Sequence, residues 1–171
     1  MSAPVRILGI DPGSRRTGYG IIDDQGTGRE ARLVTTGTLA TTGDHNARLR
    51  RIFSEMEELV RQFRPGEVSI ERVFMHRNAD SALKLGQARA AALCGTFEAE
   101  IPVFEYAARY VKKAVVGRGD ADKAQVQLMV RVLLGLRETP ASDAADALAL
   151  ALCHAYVRGS PAMAELRTAR S

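Results

Sequence analysis

Four carboxylates stand where a folded chain could gather them. Asp11 closes the β-like run VRILGI, and Glu71 closes a second one, EVSIE. Asp143 and Asp146 lie three residues apart at the start of the apolar run ASDAADALALALCHAYV. Residues three apart on a helix share a face. Carboxylates brought together raise each other's pKa unless a counter-charge is present. Mg²⁺ supplies one: it prefers oxygen ligands, keeps waters, and typically binds a few carboxylates plus substrate phosphate. Two such ions can hold a phosphodiester, activate water and stabilise the leaving oxygen. Each acid also has a plainer use. Asp143, after Ser142, suits a helix cap or the helix dipole. Asp11 before Pro12-Gly13 suits a turn, and Glu71 a solvated strand end. Asp146, a full turn into the helix, is not explained by capping.

Positioning these acids requires a sheet and a helix. VRILGI (5–10) and TGYGII (17–22) read as a hairpin, since Pro-Gly between them signals a turn. ARLVTTGTL (31–39) adds a third strand. A helix is expected over 45–63, where Leu49, Ile52, Phe53, Met56, Leu59, Val60 and Phe63 recur on one face before Pro65-Gly66. Strand 67–71, a helix over 79–98, strand 102–106 and helices over 107–115, 122–134 and 141–157 follow. In the second helix Ala82, Gly86, Ala90, Ala91 and Leu93 make a small face, suited to close packing against the sheet or a second subunit. A hairpin followed by alternating strands and helices implies a mixed sheet covered by helices, with sites at strand ends.

The 171 residues suit one domain and are short for two. With 46% hydrophobic and 26% charged residues, the composition is that of a soluble globular protein. No run is apolar enough to span a bilayer and no signal peptide is read, so a cytoplasmic protein with no membrane partner is expected. Cys94 and Cys153 read as buried free thiols. His45 and His76 read as polar loop residues, and His154 as at most a neighbour of the acids. The net charge of +4 hints at an anionic partner. Between Arg109 and Arg137 seven bases, Lys112, Lys113, Arg118 and Lys123 among them, face only Asp120 and Asp122. That run is either a solvated face or a binding one.

The segments ILGIDPGSRRTGYGII, IERVFMHRNADSALKLGQARA, VFEYAARYVKKAVVGRGDADKAQVQLMV and SDAADALALALCHAY together closely resemble the RuvC family of bacterial crossover junction endodeoxyribonucleases. The resemblance runs from about Ile7 to Tyr156. It implies an α/β, RNase H-like mixed five-stranded sheet flanked by helices, over residues 1–157; residues 158–171 match nothing in it and, lacking an apolar stripe, read as a flexible basic tail. It implies a homodimer that resolves Holliday junctions by paired symmetric nicks, in homologous recombination and DNA repair, leaving 5′-phosphate and 3′-hydroxyl ends. It implies Mg²⁺, with Mn²⁺ substituting, at two ions per site. Four-way junction DNA and the RuvA and RuvB branch-migration complex are the implied partners. The family's acids fall on Asp11, Glu71, Asp143 and Asp146, all retained. Its aromatic falls on Phe74, which would stack on bases near the junction centre; such stacking is worth roughly 1–3 kcal/mol per base. Its bases fall on Lys123, placed to stabilise charge on the scissile phosphate, and Lys112, placed to hold backbone phosphate. Lys113 and Arg118 are further candidate DNA contacts. Two positions depart from the common pattern: Ala90 stands where most members have Gly, and Ala108 where many have Pro.

Three other readings stay open. GIDPGSRRTGYG also resembles the phosphate loop of actin-like ATPases, though that superfamily needs a second domain and a second phosphate motif. A YqgF-type RNase H-like nuclease acting on RNA shares the first motif. A junction binder without cleavage would keep the fold, and the intact acids argue against it.

Overall fold

The computed structural model describes residues 4–26, 30–73 and 78–160. Its elements are strands β1 (Val5–Asp11), β2 (Arg16–Asp24) and β3 (Ala31–Ala40), helix α1 (His45–Phe63), strand β4 (Glu67–Glu71) and helix α2 (Ala79–Cys94). Strand β5 (Val103–Tyr106) and helices α3 (Ala108–Val116), α4 (Lys123–Leu133) and α5 (Ser142–Arg158) follow. The helix expected to reach Glu98 ends at Cys94. Gly95 lies so close to α1 that a Cβ there would sit 2.8 Å from the Met56 Cβ, and the chain tightens into a 3₁₀ turn at Phe97–Ala99.

The sheet has the order β3-β2-β1-β4-β5. β2 pairs antiparallel with β1 and β3, whereas β4 pairs parallel with β1 and β5, so the sheet is mixed as expected. Side chains alternate between the two faces of each strand. One face carries Leu8, Ile10, Ile21, Val68 and Ile70 against Ile52 and Met56 of α1 and Ala88 and Ala92 of α2. The other carries Ile7 and Ile22 against α3, α4 and α5.

Helix α5 is seated on that second face with almost no side chain between it and the hairpin. Gly9 and Gly20 are paired across β1 and β2, and Gly18 pairs with Asp11. A Cβ on Gly9 would lie 2.0 Å from the Ala147 carbonyl oxygen, and one on Gly18 2.0 Å from that of Asp143. The Ala-rich run is therefore the helix side of a backbone-to-backbone contact. Ser69 Oγ donates 2.8 Å to the Leu150 carbonyl and fixes the rotation of the helix on the sheet.

The far end of α5 is held by buried polar groups. His154, wholly buried, has Nδ1 2.6 Å from the Tyr106 hydroxyl and Nε2 2.6 Å from Glu67 Oε2, and its ring stacks on Phe104. Arg158 donates 2.8 Å to the buried Asp24. Its Nε stands 2.7 Å from Glu67 Oε2 in an ion pair without hydrogen-bond alignment. Burial alone would raise the Glu67 carboxyl, but the His154 hydrogen bond and the Arg158 charge together hold it below the ordinary value.

Several expectations are corrected here. Arg158, assigned to the tail, is the last residue of α5 and is 7% exposed, because Asp24 and Glu67 neutralise it in the interior; residues 161–171 lie outside the described ones. His154 belongs to the far network and not to the acids. Cys94 is exposed, since α2 buries Ala88 and Ala92 on the opposite side; Cys153 is buried, its thiol pushed up to about 12 by desolvation. His45 is the first residue of α1 and bonds Gln87, and His76 lies outside the described residues. Of the small face of α2, Gly86 and Ala90 point to solvent. No helix among the described residues is long and apolar enough to cross a membrane.

The glycine contact makes a graded prediction. Gly9→Ala meets helix backbone, whereas Gly20→Ala first meets the mobile end of Leu148, 2.6 Å away. Thermal unfolding should show Gly9→Ala losing several degrees, the effect of ~1–3 kcal/mol of overpacking, and Gly20→Ala losing less. Equal losses would mean that α5 does not press on backbone at Gly9.

Candidate active site

Asp11 and Glu71 lie one position beyond the Ile10–Ile70 pair of neighbouring parallel strands. Alternation puts both on the face of Gly9 and Ser69, toward α5. Asp11 pairs with Gly18 within the ladder, so it is a strand residue and not a turn residue. The cap of α5 is Ala141, without a side-chain bond, so Asp143 is not the cap. It lies in the first turn, at the point where the helix backbone touches Gly18. Asp146 follows on the same helix face.

A cavity of about 270 Å³ is lined by Asp11, Glu71 and Asp146 together with Lys112 and Lys123. A second, of about 240 Å³, shares Asp11 and Glu71 and opens toward Arg72 and Leu85. Asp143 stands at the margin, close enough to act on Asp11 and Asp146 electrostatically. Three of the acids thus share one cavity wall and the fourth flanks it.

The electrostatics show what this crowding costs. Burial, then the charges of Asp146, Glu71 and Asp143, push the Asp11 carboxyl up to about 7, against the partial relief of Lys123. Burial and then Asp146 raise Glu71, while Lys112 and Lys123 oppose them. Burial raises Asp146, and Lys123 offsets part of that. Lys123 Nζ is 3.5 Å from Asp146 Oδ2 and 3.4 Å from Ser142 Oγ. Lys123 is the first residue of α4, capped by Asp122 with Gln125 completing a capping box. A cation there works against the helix dipole, so its position is explained by the acids and not by the helix.

The other sequence-derived bases are less engaged. Lys113 is exposed on α3, one residue round from Lys112. Arg118, beyond the end of α3, is bonded to Asp120 at 2.8 and 2.9 Å. Phe74 lies outside the described residues. Ala108, the departure from Pro, is the first residue of α3 and lines both cavities; its preceding cap, Ala107, makes no side-chain bond.

Sequence reasoning missed two arginines. Arg16 donates 2.7 Å to Asp143 Oδ2. Arg89, from α2, donates 3.2 Å to the Glu71 carbonyl oxygen and also bonds Glu105, tying α2 to the strand end that carries the acid. Only strand register reveals the first partner, and only the α2–sheet contact the second.

Among the described residues no three His, Cys, Asp or Glu side chains are gathered closely enough, as they stand, to hold a metal ion by themselves. The carboxylates instead line an open wall of oxygen donors, and a hard cation bound by a few carboxylates completes its shell with water and substrate phosphate.

Comparison with known proteins agrees over nearly the whole chain. The family profile described as crossover junction endodeoxyribonuclease RuvC matches residues 7–154. A protein of that name from Halorhodospira halophila is 58% identical over 167 residues, 96% of this chain and 98% of its own. One from Methylococcus capsulatus is 58% identical over 154 residues, covering 90% and 92%. The structure of Thermus thermophilus RuvC in complex with Holliday junction substrate matches with a TM-score of 0.84 at 39% identity, covering 91% of this chain and 95% of that one. With its mixed sheet and its acids at the ends of β1, β4 and α5, the chain belongs to the RuvC family of crossover junction endodeoxyribonucleases.

Proposed function

We propose that the protein is a structure-selective endonuclease that resolves Holliday junctions, and that Asp11, Glu71, Asp143 and Asp146 are its divalent-cation ligands. One observation carries the cation-site reading: burial, with the other three acids, lifts Asp11 to about 7, a conflict that positive charge in the cavity relieves. The oxygen-only donor set fits Mg²⁺, with Mn²⁺ able to substitute, and four carboxylates carry enough charge for two ions per site. When bound, the ions neutralise the phosphodiester and lower the pKa of the attacking water.

The chain's own residues do the rest. Asp11, on which the other three acids all act, would be a central ligand to bound cations. Glu71 and Asp146 hold the cavity wall and Asp143 its margin. Lys123 presents its ammonium beside Asp146, where charge developing on the scissile phosphate would be met by a fixed donor. Lys112 lines the same cavity and holds strand phosphate. Phe74, Lys113 and Arg118 are taken as DNA contacts on the family resemblance. On the family resemblance, hydrolysis leaves a 5′-phosphate and a 3′-hydroxyl.

One monomer carries one such centre, and a four-way junction needs two cuts. A two-fold dimer matches the symmetry of that substrate. The outward side of α2 is the proposed dimer face: Leu83 is 68% exposed, and Gly86 has nothing within 4 Å of the place a Cβ would take. Leu83→Glu should shift the protein from dimer to monomer in sedimentation while the fold survives. An unchanged sedimentation coefficient would place the dimer contact elsewhere.

The deciding assay uses a synthetic four-way junction. Wild type with Mg²⁺ should give paired symmetric nicks, lost in EDTA and in Asp146→Asn while binding persists. Lys123→Ala should bind and cut roughly 10²-fold more slowly. Binding without nicks in either Mg²⁺ or Mn²⁺ would leave a non-catalytic binder. Cleavage of structured RNA in preference to the junction would favour the YqgF-type reading.

Asp11 also makes a pH prediction. Its folded pKa of about 7 lies above its ordinary 3.8. Between those values the folded state holds a proton that the unfolded state has lost, so stability falls as pH rises through that window. Without divalent cations, Asp11→Asn should melt higher than wild type at pH 8, with the gap closing toward pH 4. Saturating Mg²⁺ should then raise the wild-type melting temperature more than the variant's. A wild type that melts above Asp11→Asn at pH 8 in EDTA would remove the electrostatic conflict.

A further inference from the structure

Arg16 touches the site and has no part in the function proposed above. It is the first residue of β2, and Gly18 and Gly20 follow it at alternate positions on the face that α5 covers. A side chain two places before Gly18 on that face projects over the first turn of α5. Asp143 is there, and Arg16 Nε donates to its Oδ2 at 2.7 Å. The side chains are 61% and 27% exposed. The bond uses Nε alone, so the two terminal nitrogens of the guanidinium have no partner among the described residues.

An ion pair this open adds little to stability. Its chemistry is more telling. Arg16 occupies one oxygen of an acid that a cation would need. It also holds a planar fork of N–H donors, the geometry suited to phosphate, with its outer edge unspent. Lys112 and Lys123 approach the acids from α3 and α4, whereas Arg16 approaches from β2. On the β2 side Gly18 and Thr17 carry no charge, and Arg15, exposed just before the strand, is the neighbouring cation; of the two arginines, Arg16 is the one bonded to an acid of the site.

We propose that Arg16 is an exchangeable counter-ion of the active site. It neutralises Asp143 while the site is free of divalent cations. When a cation takes that carboxylate, the guanidinium moves to a non-bridging oxygen of the bound DNA backbone. Metal binding thereby creates one strand contact that the metal-free protein lacks. The inference rests on the reading of the four acids as a cation site.

The test uses the full chain and Arg16→Gln, both checked for matching circular dichroism. Two readouts are independent of cutting. In the first, Mn²⁺ is titrated calorimetrically without DNA. Arg16→Gln should bind Mn²⁺ roughly two- to fivefold more tightly, because the partly exposed pair no longer has to be broken. In the second, the salt dependence of junction binding is measured by anisotropy in EDTA and in Ca²⁺, with the junction verified intact. Each phosphate contact contributes about 0.9 to the slope of log affinity against log salt. In EDTA the two proteins should share one slope. In Ca²⁺ the wild-type slope should be steeper than that of Arg16→Gln by about one.

Equal Mn²⁺ affinities overturn the competition for Asp143. Equal slopes in Ca²⁺ overturn the phosphate contact. A slope difference of the same size in EDTA and Ca²⁺ overturns the exchange, since Arg16 would then grip DNA without regard to metal. Failure of the cation reading looks different: wild type itself would bind no Mn²⁺, whatever stands at position 16.

Discussion

Helix α5 and the β1–β2 hairpin meet backbone to backbone at Gly9 and Gly18, and the placement of the acids follows from that contact. With no side chain as a spacer, the first turn of the helix comes down beside the end of β1. Asp146 then faces the same space as Asp11 and, across the parallel pairing, Glu71, with Asp143 at its margin. Ser69 holds the helix against rotation, and the buried His154–Glu67 and Arg158–Asp24 contacts hold its other end. A site that needs carboxylates within a few ångströms is thus built on elements that have almost no freedom to move apart.

The same closeness opposes stability. Ordinary packing would not place four acids together, and the lifted Asp11 pKa expresses that opposition. The protein offsets it from the periphery: Lys123 beside Asp146, Lys112 beside Glu71, Arg16 on Asp143. These cations are of two kinds. Lys123 stands at a helix N-terminus against the dipole, a position with only a local electrostatic justification. Arg16 lies on an exposed strand end where most side chains would do for folding. The far network reverses the balance, since Glu67 and Asp24 there are satisfied within the protein and need no added ion.

Much of this was legible in the sequence because it is written locally. The apolar runs that end in Asp11 and Glu71, the Pro-Gly turn and the Ala-Leu helix gave the succession of elements along the chain, the hairpin, the strand ends and the α5 acids, but not the order of strands across the sheet. What was not legible depends on distance through space. Arg16 and Asp143 are 127 residues apart, and only the β1–β2 register and the glycine contact bring them together. His154 was read as a neighbour of the acids because it shares a helical face with Asp146. Eight residues of helix advance about 12 Å, which carries the ring to the opposite end of the sheet. Arg158 looked like tail because nothing nearby in sequence neutralises it; Asp24 is 134 residues away. Cys94 looked buried among small neighbours, but a helix that buries only Ala88 and Ala92 leaves its other side to solvent.

The long reach between the hairpin and α5 has a consequence during biosynthesis. The chain emerges with Asp11 first and Glu71 soon after, while Asp143, Asp146 and the helix that aims them come last. Until α5 lies on Gly9 and Gly18, the hairpin carries one acid with no facing partner from the helix. Half of the acids, and the counter-ion for Arg16, are then absent. Only when the helix lands do the acids of β1, β4 and α5 come to share one space.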